Sequence, residues 1–169
     1  MTKSPTPSSR PMLPPRVRVA RAYARKLVEA SARIGYSQTA ARPMQLVGPE
    51  DTPSHADCSS SVTTIYQAAG FEDPNGRGYD GAGYTGTLVA SGRPVQLSEI
   101  QPCDLVFYGS SSARPGFPAG APTHVGMVMD RKGAIFTFGS DPGPSFRKID
   151  YRSDLHSIRR YIADIQFDH

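Results

Sequence analysis

Two side chains in the sequence have the chemistry of a nucleophile and its base. Cys58 lies between an irregular segment and a predicted helix that begins at Ser59. A helix N-terminus carries partial positive charge and unpaired N–H groups, so we expect a lowered pKa and a reactive thiolate at Cys58. His124 opens an apolar predicted strand after a long loop, where an imidazole can act as the general base. A buried structural cysteine and a surface histidine are the alternatives.

Two other uses of these side chains are conceivable. A zinc site would draw on His55, Cys58, Cys103 and His124, but their spacing differs from that of the usual paired zinc ligands. A disulfide between Cys58 and Cys103 would silence the thiol, and two cysteines without a secretory signal seldom pair. The sequence also lacks the glycine-rich loop that holds nucleotide phosphates. We therefore expect no metal and no cofactor.

The elements that must position Cys58 and His124 are helices first and strands afterwards. Helical spacing of apolar residues predicts one helix over 16–34 and a second over 59–69. Apolar runs bounded by turn residues predict strands over 105–108, 124–130, 134–138 and 156–162. This order predicts an α+β fold in which N-terminal helices pack on an antiparallel sheet.

The charge distribution divides the chain at residue 34. Residues 1–34 contain eight basic side chains and one acidic side chain, whereas residues 35–169 contain 11 basic and 14 acidic side chains. We interpret 1–15 as a proline-rich extended arm, 16–34 as a basic amphipathic helix and 35–169 as the main domain. The basic charge is not spread over the fold, which argues against a nucleic-acid-binding domain.

The sequence also bears on where the protein acts. No apolar run approaches the ~18–20 residues of a membrane span. The N-terminal segment lacks the apolar centre of a secretory signal. If the substrate is extracellular, we expect delivery by cell lysis or by a virion.

Three stretches, taken in order, resemble the NlpC-like cysteine peptidases, which are papain-like domains that cut the peptide part of bacterial peptidoglycan. They are Asp57-Cys58-Ser59-Ser60 at a helix start, Pro102-x-Asp104-Leu105-Val106-Phe107-Tyr108, and His124-Val125-Gly126-Met127-Val128. Residues 36–38, 83–87 and 139–144 resemble a subgroup found in actinobacteria and their phages. The resemblance covers roughly residues 35–162.

The resemblance implies a role for each matching residue. Cys58 would attack the scissile carbonyl, and His124 would take its proton and then protonate the leaving amine. Backbone N–H groups at the helix start, with Ser59, and the hydroxyl of Tyr36 would support the oxyanion. The remaining candidates for substrate binding are Gln38, His55, Asp57 and Tyr84.

The sequence departs from the family pattern at two positions. The family has a third polar residue after the catalytic histidine, and here Phe138 occupies that place. Thr137 and Ser140 are the candidates to replace it, although strand alternation relative to Phe138 predicts that Thr137 points to the opposite face. Cys103 replaces a turn glycine; if the turn requires a positive φ, the cysteine costs about 1–2 kcal/mol there.

These observations predict a peptidoglycan endopeptidase, as a phage endolysin or a lysin carried in the virion tail. It would act in the host cell wall or from the virion, and residues 1–34 would contact other virion proteins. One alternative is a structural tail-tip component with a weak or inactive hydrolase domain. Another is an amidase or acyltransferase of the same fold, since fold does not decide which bond is cut.

Overall fold

The structure is a computed structural model and describes residues 12–112 and 118–167. Within these residues the helices are α1 (Pro15–Glu29), α2 (Cys58–Ala68) and α3 (Thr85–Val89), with short 3₁₀ turns at Ser31–Arg33 and Leu97–Glu99. The strands are β1 (Gly35–Tyr36), β2 (His55–Ala56), β3 (Arg93–Pro94), β4 (Leu105–Tyr108), β5 (His124–Val128), β6 (Ala134–Thr137), β7 (Ser145–Lys148) and β8 (Leu155–Arg160). The predicted order of helices first and strands afterwards is confirmed for the strands from β3 onwards, while the short strands β1 and β2 precede α2.

The main sheet has six antiparallel strands in the order β3-β8-β4-β5-β6-β7. β5, which begins with His124, lies in the interior of this sheet between β4 and β6. Its residues are buried throughout, as expected for a strand with neighbours on both sides. The α+β class predicted from the sequence is therefore confirmed, with the helices on one face of an antiparallel sheet.

The two faces of the sheet have different coverings. Val125, Met127 and Phe136 point towards the helices and belong to the larger apolar core, which includes buried residues of α1 and α2. Alternate residues of the same strands, such as Val128 and Ile135, form a second and smaller core on the opposite face. The position of a side chain along a strand therefore decides whether it packs in the larger core, on the helix side, or in the smaller core on the opposite face.

α1 is an integral part of the larger core. Pro15 is its first residue, where the missing N–H of proline costs nothing. The helix ends at Glu29, and a separate 3₁₀ turn follows, so the predicted single helix over 16–34 is wrong only over its last residues, 30–34. Its apolar stripe is buried against α2 in one common core, so the predicted division at residue 34 separates no independent packing unit. The buried residues of the stripe are Val17, Ala20, Tyr23, Ala24 and Leu27.

Several short strands have no sequence pattern that would predict them. β1 and β2 pair in parallel over two residues each, too short for a periodic pattern. β3 contains a proline, which is tolerated because it lies on the edge of the sheet. β7 lies on the other edge and reads SFRK, without the apolar run of an interior strand.

Two predicted features lie partly or wholly outside the described residues. Residues 1–11 of the predicted arm and 113–117 of the predicted loop over 109–123 belong to this part of the chain. No helix in the described segments is both long and apolar enough to cross a membrane.

Candidate active site

Cys58 is the first residue of α2, and the sequence around it fixes the helix start firmly. Asp57 is the N-cap: its carboxylate accepts the backbone N–H of Ser60 at 2.9 Å, while the Ser60 hydroxyl accepts the backbone N–H of Asp57 at 2.8 Å. This reciprocal capping box satisfies two N–H groups that a helix start leaves unpaired. The Cys58 side chain is thereby held where α2 meets the sheet.

The Cys58 thiol is buried against polar neighbours. Its Sγ lies 3.9 Å from Oγ1 of Thr85, the first residue of α3. Backbone N–H groups of Val125 and Ser59 also point at the sulfur. Since Val125 follows His124 directly, the thiol lies beside the start of β5. The fold therefore brings the Cys58 thiol to the first residues of the strand that His124 begins.

The pKa of the Cys58 thiol is raised, contrary to the expectation from its helix position. Burial is the main cause, and the nearby carboxylate of Asp57 adds to it. The hydrogen bonds from Val125, Thr85 and Ser59 lower the pKa but do not outweigh desolvation. In this structure, Cys58 is a protonated thiol at neutral pH and needs a base before it can attack.

His124 has the protonation state of such a base. Burial, aided by the positive charge of Arg152, lowers the pKa of His124 to about 4, against the opposing influence of Asp154 and Asp57. The imidazole is therefore neutral at physiological pH. Its Nε2 is hydrogen-bonded to the Thr137 hydroxyl at 2.6 Å.

Thr137, and not the residue at position 138, is the polar partner of the imidazole. Thr137 pairs with Gly126, and Gly126 shares its sheet face with His124 because it lies two residues along the same strand. Thr137 thus points to the face opposite Phe138, as alternation predicts, and this face is the one that carries His124. Phe138 lies in the core on the helix side, with its ring 5.4 Å from that of Tyr36. Ser140, the other candidate, is exposed in a turn.

Tyr36 is brought to the site by the short parallel pair of β1 and β2. Its partner in this pair is Ala56, two residues before Cys58. Burial raises the pKa of Tyr36, and so does the nearby Cys58. The phenol therefore remains a hydrogen-bond donor at neutral pH. Gln38 donates to the Tyr36 hydroxyl at 3.2 Å.

The other candidates have different surroundings. His55 is exposed, and its Nδ1 lies 3.2 Å from the Ser54 hydroxyl. Tyr84 is the residue before α3, and its backbone N–H donates to the Thr87 hydroxyl at 2.8 Å. Ser59 and Asp57 have their side chains engaged with each other at 3.2 Å.

Arg42 is a site residue that the sequence argument missed. Its guanidinium donates to Asp57 at 3.1 Å, to the Ser59 hydroxyl at 2.9 Å and to the carbonyl of Gly83. It ties the start of α2 to the segment that leads into α3 and balances the charge of Asp57. Thr85 was missed as well. Arg42 belongs to no recognised motif, and Thr85 lies in the stretch 83–87 but was not singled out there; only the folded chain shows their contacts.

The fold of this chain is found in several solved structures. It matches NlpC2 from Trichomonas vaginalis with a TM-score of 0.56 and 17% identity, over 85% of this chain and 47% of that one. NlpC1 from the same organism gives 0.55 and 17%, over 84% and 44%. A Staphylococcus aureus protein, similar to lipoprotein and of the NLP/P60 family, gives 0.60 and 19%, over 94% and 45%.

These matches establish the fold, which is that of NlpC/P60 proteins. The chain spans less than half the length of each of the three proteins. No family model matches the sequence, and no curated protein matches it.

Proposed function

We propose that this chain is a cysteine endopeptidase that cuts the peptide part of bacterial peptidoglycan. The observation that carries the proposal is the contact of the Cys58 thiol, at the start of α2, with the backbone N–H of Val125, the residue after a neutral His124 in β5. The NlpC/P60 fold and the resemblance in the sequence support the substrate class.

The protonation states suggest how the reaction begins. With a protonated thiol and a neutral imidazole, Nδ1 of His124 takes the Cys58 proton as the sulfur attacks the scissile carbonyl. The resulting imidazolium is stabilised by the hydrogen bond that its Nε2–H donates to the Thr137 hydroxyl. The start of α2 offers the backbone N–H of Ser59 to the oxyanion, and the Tyr36 hydroxyl offers a second donor.

The second half of the reaction reverses these roles. His124 gives its proton to the departing amine, which leaves an acyl group on Cys58. Water then enters, His124 takes one of its protons, and the resulting hydroxide releases the carboxylic acid and restores the thiol. Each proton passes through the same nitrogen of His124.

Purified protein incubated with actinobacterial cell walls provides the test. We expect soluble peptide and new free amino groups to appear with the wild-type protein and with Cys103→Ala, since Cys103 is buried away from the solvent. Cys58→Ala should lower the rate at least 10³-fold, because no other nucleophile is present in the proposed mechanism. Full activity in Cys58→Ala would refute the mechanism. Mass spectrometry of the new amino termini separates an endopeptidase from an amidase of the same fold.

A phage setting is part of the proposal, as an endolysin or as a lysin of the virion tail acting on the host cell wall. Exposed basic side chains on α1, such as Arg18 and Arg25, are available to contact other virion proteins. The raised pKa of the buried Cys58 thiol favours a second candidate, a tail-tip component with weak hydrolase activity. Its signature would be stable incorporation into tails with slow release of peptide from cell walls.

A further inference from the structure

A polar cleft adjoins the imidazole of His124 on the side of Thr137. It has a volume of about 440 Å³, enough for a small number of amino-acid residues. We call it the Arg147 cleft, and the lining residues used below are Thr137, Ser140, Asp141, Ser145, Arg147 and Tyr151.

The strand register places the floor of this cleft on the His124 face of the sheet. Thr137 pairs with Ser145 across β6 and β7, and Arg147 lies two residues further along β7. Residues two apart on a strand share a face, so Arg147 and Ser145 project on the same side as Thr137. Tyr151 continues the surface, because its ring packs 5.5 Å from Tyr108.

The proposed reaction leaves this side of the imidazole open to the leaving fragment. The acyl part of the substrate becomes bound to Cys58, and the amine part receives its proton from His124. The amine nitrogen takes its proton at Nδ1, and the rest of the amine fragment can then continue past the ring towards its Nε2 edge. The Arg147 cleft begins on that side, at the Thr137 hydroxyl that contacts Nε2.

Arg147 has no internal partner for its charge. It makes no hydrogen bond or ion pair with any residue in the described segments, and it is exposed. The acidic group of the cleft, Asp141, is engaged at 2.9 Å by the backbone N–H of Tyr36. The nearby Arg152 is held by Asp154 at 2.6 Å. Arg147 is therefore the cation available to a ligand in this cleft.

We propose that the Arg147 cleft binds the leaving fragment of the substrate and that Arg147 recognises a carboxylate on it. This inference rests on the proposed function and adds to it a preference for an acidic leaving fragment. A guanidinium matches the planar geometry of a carboxylate, and the hydroxyls of Ser140 and Ser145 supply further donors.

The test compares soluble muropeptides, released from cell walls by a muramidase, before and after chemical amidation of their carboxylates. Wild-type protein should cut the untreated muropeptides about ten-fold faster in kcat/KM than the amidated ones. In Arg147→Gln this ratio should fall by at least five-fold, because the variant no longer distinguishes a carboxylate from an amide. Lys148→Gln is the matched control, since Lys148 is an exposed cation next in sequence that projects to the other face of β7.

A binding measurement keeps this proposal separate from the proposed function. Calorimetric titration of untreated muropeptides into Cys58→Ala should give at least five-fold weaker binding when Arg147→Gln is added, and no change with Lys148→Gln. The proposal would be overturned if wild type and Arg147→Gln gave the same ratio of kcat/KM for untreated over amidated muropeptides, and if Arg147→Gln left binding to Cys58→Ala unchanged. Loss of turnover with intact Arg147-dependent binding would instead count against the peptidase and leave the cleft assignment standing.

Discussion

At the scale of single residues, the site combines a protonated thiol with a neutral imidazole. In the proposed mechanism the neutral form of His124 is the base, and this form predominates above the pKa of about 4. We therefore expect kcat/KM to fall as the pH drops through about 4, and not through the value near 6.5 of an exposed histidine. Initial rates of amine release between pH 3 and 8 measure this, with circular dichroism to verify folding at each pH. An acid limb at pH 6–7 would mean that the imidazole is solvated in the working enzyme.

Thr137 is the residue on which the orientation of His124 depends. Thr137→Val keeps the shape of the side chain but leaves Nε2 without its partner, and an unpaired buried polar group costs about 1–3 kcal/mol. We expect kcat to fall about 10–100-fold with little change in KM, because Thr137 contacts the imidazole and not the thiol. Thr137→Ser, which restores the hydroxyl, should recover most of the rate. A change in KM alone would assign Thr137 to substrate binding.

The sequence was sufficient to find Cys58 and His124 as candidates but not to place Thr137. The nucleophile and the base stand at recognisable element boundaries, so local patterns locate them. The face of Thr137 depends on the register between β5 and β6, and a shift of one residue reverses every side chain. The resemblance put Phe138 at the position of the third polar residue, whereas Thr137 is the residue that contacts the imidazole. The protonation states were likewise hidden, because burial is a property of the whole fold.

At the scale of elements, the start of α2 is the structure that holds the nucleophile. Asp57→Ala removes the side-chain cap and leaves Arg42 without its carboxylate partner. We expect the free energy of unfolding to fall by about 1–2 kcal/mol, measured by urea denaturation. Asp57→Asn keeps an oxygen to accept the Ser60 N–H and should cost less than half as much. Equal losses in the two variants would show that the ion pair with Arg42, and not the cap, stabilises the helix start.

Element prediction succeeded where a pattern extends over several residues and failed where pairing alone defines the element. The predicted interior strands that became β4, β5 and β6 are apolar runs, and their burial follows from that composition. β1 and β2 are strands only because they pair with each other, and no pattern in the sequence marks either of them. They nevertheless matter for function, since this pairing carries Tyr36 to Cys58.

At the scale of the whole molecule, α1 contributes to the core behind the active site. Leu27 is 1% exposed and belongs to the core that also holds Cys58 and Ile65. Leu27→Ala should therefore lower the free energy of unfolding by about 2–5 kcal/mol through lost burial and the cavity left behind. Arg18→Ala, on the exposed side of the same helix, should change it by less than about 0.5 kcal/mol. Urea denaturation of both variants gives the comparison.

The same pair of variants distinguishes two views of the basic N-terminal segment. If α1 were a separate docking device, as the charge division at residue 34 suggested, Leu27→Ala would leave the stability of the remainder unchanged. Because its apolar stripe packs on α2, we expect the loss to extend to the whole cooperative transition, including near-ultraviolet signals from Tyr66 and Tyr108 in the core. The basic side chains on the outer face then remain free for partners, while the inner face stabilises the site.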